Sequence, residues 1–500
     1  MNNQKHLRVV PVDLSIKEFK KLGYELVDKI AGFIGKIETL PVTSAEDEKT
    51  IQKYLGADRS LPEEGTGPEK LLGNTAELLL DHSLFNGHPR FWGYVTSSPA
   101  PLGILGDFLS SAVNSNVGAW TLSPMASEIE AQSVRWMGSL IGYPAKGGLI
   151  VSGGNVANYI GFIAAIRAKA GLEIRSKGIN AAEKPLKVYC SQETHTWIQK
   201  AADLFGLGTD CIRWIKSDRH QKMDVKALNN HIKQDLASGN QPFLVVGTAG
   251  SVSTGAIDPL SDIADICQKY NLWFHIDGAY GGFAAAVPEL ATDFSGLERA
   301  DSIAVDPHKW LYAPLEAGCT LVKDPSHLTD AFSYHPPYYN FEQSAVNYVD
   351  YGIQNSRGFK ALKVWLLLQQ MGAKGYQQLI REDIQLARYA FNLFSGSQYI
   401  EMHTCNLSIT TFRFIPSDLR DQKDILAIHD YLNDLNRKIL EKIENSGQFY
   451  VSNALINDVF LLRMCIVNFR TGMPDIEAFL SFLVETGDKT DKEIRPVLHA

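Results

Sequence analysis

The chain has no uninterrupted apolar stretch of the roughly 18 residues that a membrane-spanning helix needs, and its start, MNNQKHLRVV, lacks the apolar core of a secretory signal. It also has no dense basic stripe, since 48 Lys and Arg stand against 56 Asp and Glu, for a net charge of -8. Such a balance does not favour binding to the phosphates of a nucleic acid. The sequence therefore predicts a cytoplasmic protein that binds neither membranes nor nucleic acids.

Paired cysteines and several common ligand motifs are also missing. The six cysteines lie at wide spacings, some inside apolar runs such as LKVYCS and LLRMCIVNF, and no Cys-x-x-Cys pair occurs. This is typical of reduced thiols in a protein core. The chain contains no Gly-x-Gly-x-x-Gly, Walker, His-Glu-x-x-His or Gly-x-Ser-x-Gly sequence and no cluster of metal ligands. Dinucleotides, nucleoside triphosphates and metal ions are therefore not predicted as ligands.

From about residue 147 the chain alternates short apolar runs with helical stretches. Strand, helix and strand in this order predict an α/β fold with a mainly parallel seven-stranded sheet covered by helices. A smaller α+β domain is expected to follow, because the strand pattern becomes less continuous after about residue 365. The seven apolar runs are GLIVSGG (148–154), LKVYCS (186–191), CIRWIKS (211–217), FLVVGTAG (243–250), LWFHIDGA (272–279), SIAVDPH (302–308) and CTLVKD (319–324).

The N-terminal part has a helical pattern. Ser15 and Glu18 have the spacing of a capping box, and apolar residues then recur every three or four positions as far as Ile37. This apolar stripe needs a partner surface, either the body of the protein or another subunit. The charged stretch 43–66 is expected to be an exposed connection.

We therefore divide the chain into three parts. Residues 1–100 are expected to form an N-terminal helical segment that packs on a partner subunit. Residues 101–365 are expected to form the large domain, and residues 366–500 the small C-terminal domain.

Four polar features follow the predicted strands at their carboxyl ends, where ligands bind in such sheets. The Gly-Gly-Asn sequence at 153–155 opens a helical run, and its amides either bind an anion or form an ordinary tight turn. Asp277 either caps a turn or meets a ligand. His195 taken alone is typical of a surface or capping histidine. Lys309 is unusual, because its ammonium is expensive to desolvate at the end of a buried strand, whereas its neutral amine is a nucleophile.

Together these features match the needs of pyridoxal phosphate. Its phosphate needs backbone donors, its ring nitrogen needs a carboxylate, its ring needs a stacking partner, and its aldehyde needs a lysine. The sequence therefore predicts a pyridoxal-phosphate enzyme.

Several segments resemble a known family. FHIDGAYGG, followed about thirty residues later by DPHKW, closely resembles the group II pyridoxal-phosphate-dependent amino acid decarboxylases, which include the aromatic amino acid, histidine and glutamate decarboxylases. The resemblance covers roughly residues 70–490 and implies pyridoxal-phosphate fold type I and a homodimer with its active site at the subunit interface. Further similar segments are HPRFWGY (88–94), WTLSPMASEIE (120–130), GTAGSVSTGAIDPL (247–260) and LRMCIVNFR (462–470).

The resemblance also implies roles for individual residues. Lys309 would form a Schiff base with the cofactor, Asp277 would pair with its pyridinium nitrogen, and His195 would stack on its ring. Ala279 would pack on the opposite face of the ring. The remaining cofactor contacts implied are Gly153, Gly154, Asn155, Ser251, Ser253, Asp306 and His308.

Two positions depart from the family pattern. Asp306 stands where aromatic amino acid decarboxylases often have asparagine, and a carboxylate near the phosphate is unfavourable unless it turns away or is otherwise satisfied. Val252 stands where relatives often have a cofactor-contacting threonine, so that either Ser251 or Ser253 is expected to serve instead.

A tyrosine-rich segment at 331–352 is similar to the mobile catalytic loop of the family. Tyr338 falls at the position of the tyrosine that protonates the reaction intermediate, whereas relatives with phenylalanine there tend toward oxidative deamination. A polar surface loop is the alternative interpretation.

The substrate is predicted from aromatic residues, although aromatic side chains are also ordinary core residues. Val95, Asn116 and Gly118 count against an aromatic substrate, because aromatic-specific relatives tend to have bulkier apolar groups there. We predict decarboxylation of an L-amino acid, with an aromatic substrate preferred; a decarboxylase of an acidic amino acid such as glutamate, or a fold type I transaminase or lyase, is the alternative. The predicted substrate-binding residues are Phe91, Trp92, Tyr94, Ser97 and Trp120.

Overall fold

The structure of the chain, a computed structural model, describes residue 10 and residues 12–171, 173–336 and 345–495. Its helices are α1 (Ile16–Lys36), α2 (Glu48–Leu55), α3 (Pro68–Asp81), α4 (Pro101–Val113), α5 (Pro124–Leu140), α6 (Gly154–Ala170), α7 (Ile174–Lys177), α8 (Trp197–Leu204), α9 (Val225–Ala237), α10 (Leu260–Tyr270), α11 (Ser326–Phe332), α12 (Ala361–Ser395), α13 (Leu426–Asn445) and α14 (Met473–Ile494). Its strands are β1 (Gly147–Val151), β2 (Leu186–Ser191), β3 (Ile212–Ile215), β4 (Gln241–Thr248), β5 (Trp273–Asp277), β6 (Ser302–Val305), β7 (Gly318–Val322), β8 (Ile400–Asn406), β9 (Ile409–Phe414), β10 (Ser452–Ile456) and β11 (Val459–Cys465).

The first seven strands form one sheet in the order β1-β7-β6-β5-β4-β2-β3. Strand β7 runs antiparallel to both of its neighbours, and the other pairs are parallel. Helices α5, α6, α9 and α10 pack against this sheet. The predicted α/β fold and all seven predicted strands are confirmed. The apolar runs are continuous because these strands are largely buried.

The second sheet is smaller and antiparallel, with the order β10-β11-β9-β8. Helices α12, α13 and α14 pack on it. Helix α12 also packs on α4 and α5, so it connects the surroundings of both sheets. It is kinked at Gly372, whose φ of 59° lies in the left-handed region that favours glycine. The predicted domain boundary after residue 365 falls inside this helix.

Helix α1 begins with the predicted capping box. Ser15 Oγ accepts a hydrogen bond from the Glu18 amide at 3.2 Å, and the Glu18 carboxylate accepts one from the Ser15 amide at 3.1 Å. The helix packs on α3 of its own chain. The segment 43–66, expected to be a plain connection, contains the short exposed helix α2, capped by Asp47.

One buried ion pair fastens the large sheet to the segment that follows the tyrosine-rich region. Arg357 donates to both carboxylate oxygens of Glu130 on α5, at 2.5 and 3.2 Å, and both side chains are buried. Glu130 also accepts from the Ile150 amide of β1 at 2.8 Å, and Arg357 donates to the carbonyl groups of Val117 and Ile150. The pair thus joins three separate parts of the chain.

Two further findings bear on the composition-based predictions. The six cysteines are free thiols, as expected for reduced core residues. Within the described ranges, no helix is both long enough and apolar enough to cross a lipid bilayer.

Candidate active site

A cavity of about 430 Å³ lies at the carboxyl ends of the strands of the large sheet. It brings together residues that are far apart in sequence, including Asn155, His195, Asp277 and Lys309. Parallel strands place their carboxyl ends at one edge of a sheet, which explains why residues that follow β1, β2, β5 and β6 meet here.

One wall of the cavity is the beginning of α6. Gly153 has a φ of 149°, and no side chain caps the helix there. The first amides of a helix have no partner within it, so this end offers free N–H donors and the positive end of the helix dipole. A Cβ atom on Gly154 would lie 2.8 Å from Asp306 Oδ2 and 3.1 Å from Ala279 Cβ. Glycine is therefore required for this close approach, and the wall can bind an anion.

Lys309 enters the cavity on a tight turn after β6. Its Nζ lies 2.9 Å from Asp306 Oδ2, and its amide donates to the Asp306 carbonyl at 2.9 Å. Ser97, predicted to contact substrate, instead donates from Oγ to the His308 carbonyl at 2.7 Å, so it supports the turn from outside the cavity lining. His308 Nδ1 donates to the Ala317 carbonyl at 2.6 Å.

The residues after Lys309 are held by a buried carboxylate on α12. Asp383 Oδ2 accepts a hydrogen bond from Trp310 Nε1 at 2.9 Å and another from the Tyr312 hydroxyl at 2.6 Å. Trp310 also stacks on the Tyr280 ring. Burial raises the pKa of Asp383 to about 7, against an ordinary value of 3.8. This contact could not be predicted from the sequence, because the partners are more than 70 positions apart.

Asp277 is the last residue of β5 and lies at the base of the cavity. Its Oδ2 accepts a hydrogen bond from Trp197 Nε1 at 2.7 Å, and its Oδ1 accepts one from the Ala279 amide at 3.2 Å. Trp197 is fully buried. Two donors thus fix the position of the carboxylate. Sequence reasoning missed Trp197, although it lies only two positions after His195.

His195 lines the cavity close to these groups. Its Nδ1 accepts a hydrogen bond from the Trp197 amide at 3.3 Å, which leaves Nε2 to carry the proton of the neutral ring. Burial lowers the pKa of His195, and the negative charge of Asp277 opposes this shift. The imidazole is therefore neutral near pH 7.

Two charged residues of the cavity were not predicted from the sequence. Arg463, on β11 of the small sheet, donates to Ser452 Oγ at 3.0 Å and to the Val252 carbonyl. Burial lowers the pKa of Arg463. Glu193 lines the cavity as well, and burial raises the pKa of its carboxyl. Arg463 and Lys309 are the only Lys or Arg side chains among the described lining residues.

Several residues predicted to bind substrate lie outside the lining of this cavity in the single chain. Phe91 stacks on Tyr450, and Trp92 is fully buried against Phe449 in the core of the small sheet, so neither lines the cavity. Trp120 donates from Nε1 to Glu128 at 3.0 Å, also outside the lining. The rings of Phe91 and Trp92 therefore pack against other aromatic side chains, as aromatic residues often do.

The structure also shows where Ser251 and Ser253 lie, the two serines predicted as alternative cofactor contacts. Ser251 Oγ lies 2.9 Å from Thr254 Oγ1 inside the turn after β4, and neither Ser251 nor Ser253 lines the cavity. Gly250 and Val252 line it instead. Tyr94 is the one predicted substrate residue in the lining, with a φ of 51°. Tyr338 lies outside the described residues, so its predicted role stays a prediction.

Comparison with known proteins defines the family. The profile described as the pyridoxal-dependent decarboxylase conserved domain matches residues 51–414. An aromatic-L-amino-acid decarboxylase of Bacillus atrophaeus is 33% identical over 92% of this chain and 93% of the relative. The chain belongs to the pyridoxal-dependent decarboxylases. It is therefore an amino acid decarboxylase with pyridoxal phosphate as its cofactor, as the resemblance implied.

Two further decarboxylase-like proteins extend the likeness over nearly the whole chain. Tyrosine decarboxylase 4 of Petroselinum crispum is 30% identical over 95% of this chain and 94% of the relative. The crystal structure of Oryza sativa TDC with PLP and tryptamine has a TM-score of 0.88, covers 96% of this chain and 99% of its own, and is 24% identical. The predicted fold type is thereby confirmed.

The cavity fits the cofactor of this decarboxylase family by its chemistry. Free amides at the start of α6 suit a phosphate, and the space at Gly154 is a cradle that a Cβ atom would fill. Asp277 is a fixed carboxylate for a protonated ring nitrogen, and Lys309 is a primary amine for an aldehyde. The volume of about 430 Å³ lies within the usual range for cofactor sites.

Proposed function

We propose that this enzyme decarboxylates an aromatic L-amino acid to the amine and carbon dioxide, using Lys309 as the residue that bonds the cofactor as a Schiff base. The observation that carries the proposal is the meeting of Lys309, Asp277 and the uncapped start of α6 in one cavity. When bound, pyridoxal phosphate supplies a ring that takes up the electron pair left behind as carbon dioxide departs.

Each residue of the cavity has a role in the proposal. The amides of Gly154 and Asn155 bind the phosphate, and Asp277 holds a proton on the ring nitrogen. The Trp197 indole keeps the Asp277 carboxylate in place, and the neutral His195 ring stacks on the cofactor. A fixed charge of this kind is usually a large catalytic contribution, because it needs no reorganisation during the reaction.

Arg463 is proposed to bind the carboxylate of the substrate. It is buried, it belongs to the cavity lining, and its two hydrogen bonds to Ser452 and Val252 leave further guanidinium donors. Arginine matches a carboxylate with a planar pair of donors. Fixing the carboxylate orients the bond that breaks. We expect Arg463→Gln to raise KM at least tenfold while the absorbance of bound cofactor is retained.

The aromatic substrate class is supported by the relatives and by the charges of the cavity. An aromatic-L-amino-acid decarboxylase and a tyrosine decarboxylase are at least 30% identical to this chain. An acidic substrate needs a second cation for its side chain, but Lys309 and Arg463 already have roles.

Tyr338, whose position is outside the described residues, is proposed to protonate the substrate carbon after carbon dioxide leaves. The support is the resemblance of the 331–352 segment to the family's catalytic loop. We expect Tyr338→Phe to lower amine formation and raise aldehyde formation, measured by product analysis.

The overall proposal is tested by a screen of purified enzyme and cofactor against the twenty amino acids, dopa and 5-hydroxytryptophan. Amine and carbon dioxide from tyrosine, tryptophan, dopa or 5-hydroxytryptophan are expected. A keto acid product would indicate a transaminase, and turnover of glutamate alone would refute the aromatic class.

Lys309→Ala is expected to abolish covalent cofactor and nearly all turnover, and wild-type activity in that variant would refute the assignment.

We also propose that the enzyme is a homodimer and is cytoplasmic. Apolar side chains of α1 and α4, including Phe19, Val27, Phe108 and Val113, are exposed in the single chain, and a second copy would cover them. Free thiols suit a reducing compartment. Sedimentation showing an active monomer would contradict the dimer, and recovery of the native enzyme from a secreted fraction would contradict the location.

A further inference from the structure

Asp306 occupies an unusual position in the cavity. Its side chain is only 2% exposed, and its Oδ2 lies 2.9 Å from Lys309 Nζ and 3.7 Å from His308 Nε2. Its Oδ1 is buried and has no hydrogen-bond partner among the described residues. A buried carboxylate oxygen without a donor is costly while it is charged. Asp306 therefore has one buried oxygen that no described donor engages.

The same carboxylate faces the start of α6. The Cβ position at Gly154 lies 2.8 Å from Asp306 Oδ2 and 3.3 Å from Oδ1, so no side chain separates the carboxylate from the helix start. The amides there are the proposed phosphate site. Two anions that lie close together in a site with little water repel each other. A charged Asp306 therefore opposes binding of the cofactor phosphate.

The positive charge of Lys309 is also unfavourable for cofactor binding. Paired with Asp306 as an ammonium, its nitrogen has no lone pair and cannot attack an aldehyde. Transfer of one proton across the 2.9 Å contact solves both problems, since it yields a neutral amine and a neutral carboxylic acid.

We propose that Asp306 accepts the proton of Lys309 when pyridoxal phosphate binds, and keeps it in the loaded enzyme. This rests on the proposed roles of Lys309 and the α6 amides. The ammonium gives one proton to Asp306 Oδ2, and its lone pair then forms a bond to the aldehyde carbon. The other two protons leave with the carbonyl oxygen as water, and a carbon–nitrogen double bond remains. Charge is conserved, because one cation and one anion become two neutral groups.

The neighbours of Asp306 leave no better proton acceptor. The titratable groups that face it are Lys309 and His308 from its own segment, His195 after β2, and Cys319 on β7. Burial lowers the pKa of both histidines and raises the pKa of the Cys319 thiol. These three groups are neutral near pH 7, so that among the described groups facing Asp306 the charged partner is Lys309.

The decisive experiment is a difference infrared spectrum, cofactor-bound minus cofactor-free, of the whole enzyme and of Asp306→Asn. Asparagine has the same shape, so the variant is expected to fold. The parent should gain the carbonyl band of a neutral carboxylic acid on binding pyridoxal phosphate, and Asp306→Asn should not. Glu193→Gln is the matched control, since Glu193 is another carboxylate of the lining and burial raises its pKa, so it is the alternative source of such a band. It should keep the band.

A second measurement uses cofactor affinity as a function of pH. Because the parent keeps the proton within the site, Asp306→Asn should release one more proton per site on binding than the parent does. The cofactor affinity of Asp306→Asn should therefore increase with pH by an additional factor of ten per pH unit, compared with the parent, over the range in which its Lys309 is an ammonium. No carboxylic acid band in the parent, or loss of that band in Glu193→Gln instead, would overturn the inference. Failure of the parent to develop the visible absorbance of lysine-bound cofactor would instead refute the proposed function.

Discussion

The buried carboxylate of Asp383 gives a prediction that can be worked out in numbers. It holds Trp310 and Tyr312, which follow the proposed cofactor lysine, and burial raises its pKa to about 7 from an ordinary value of 3.8. For an acid whose pKa is raised by folding, the folded state binds more protons than the unfolded state between the two values. The contribution of Asp383 to the free energy of unfolding is therefore greatest below about pH 4, and it falls as pH rises toward about 7.

The magnitude follows from the same values. Each pKa unit corresponds to about 1.4 kcal/mol, so the free energy of unfolding should fall by about 3 kcal/mol from pH 5 to pH 8 because of Asp383 alone. A chain of this length has an unfolding entropy of about 1 kcal/mol per degree, so the expected change in Tm is about 3 °C. Asp383→Asn removes the titrating group. The Tm of the variant minus that of the parent should therefore rise by about 3 °C over this pH range.

The assay is thermal unfolding of both proteins, saturated with cofactor, in buffers from pH 5 to pH 8. Asp293→Asn is the control, since Asp293 is exposed and its substitution should leave the pH dependence unchanged. A difference in Tm between Asp383→Asn and the parent that stays constant with pH would refute the reasoning. So would a difference that falls as pH rises.

Three further predictions concern the cavity and its support. Asp277→Asn should keep the cofactor but lower kcat by about 10²–10³, because the ring nitrogen loses its fixed anion; equal rates at equal cofactor content would contradict this. Gly154→Ala should weaken cofactor affinity at least tenfold in a titration, because its Cβ would lie 2.8 Å from Asp306 Oδ2, and unchanged affinity would show that the wall yields. Glu130→Gln should destabilise the protein by about 3–5 kcal/mol, since Arg357 would remain buried without its anion. The control for thermal unfolding is Glu289→Gln, which removes an exposed ion pair and should leave Tm unchanged.

The sequence allowed the large sheet to be predicted because its strands are buried on both faces, and such strands appear as continuous apolar runs. The strands of the second sheet were harder to predict from the sequence. Strand β8 is only partly buried, and the long α12 connects regions that the sequence separates. The boundary proposed after residue 365 shows the difficulty, because it falls inside a helix that packs both on the small sheet and on helices α4 and α5 of the large domain.

The cavity was predictable where the family motifs lie next to one another in the chain. Asp277 ends β5 and Lys309 lies on the turn after β6, and these two strands pair directly, so the sheet brings the two residues to the same edge. Arg463 and Trp197 were missed although they lie in the family-like segment 462–470 and next to His195, because a motif does not reveal which of its side chains enters a cavity. Trp92 was misassigned for a related reason: a large aromatic ring in sequence does not reveal whether it meets a ligand or fills a core.

The origin of Arg463 has an evolutionary consequence. The groups proposed to act on the cofactor follow strands of the seven-stranded sheet, whereas Arg463 extends from β11 of the other sheet and touches the Val252 carbonyl across the divide. The proposed carboxylate-binding arginine and the proposed cofactor-binding groups thus belong to different sheets. Mutations around β10 and β11 can therefore change the support of this arginine while the cofactor-binding groups are left intact, so that the two parts can evolve separately.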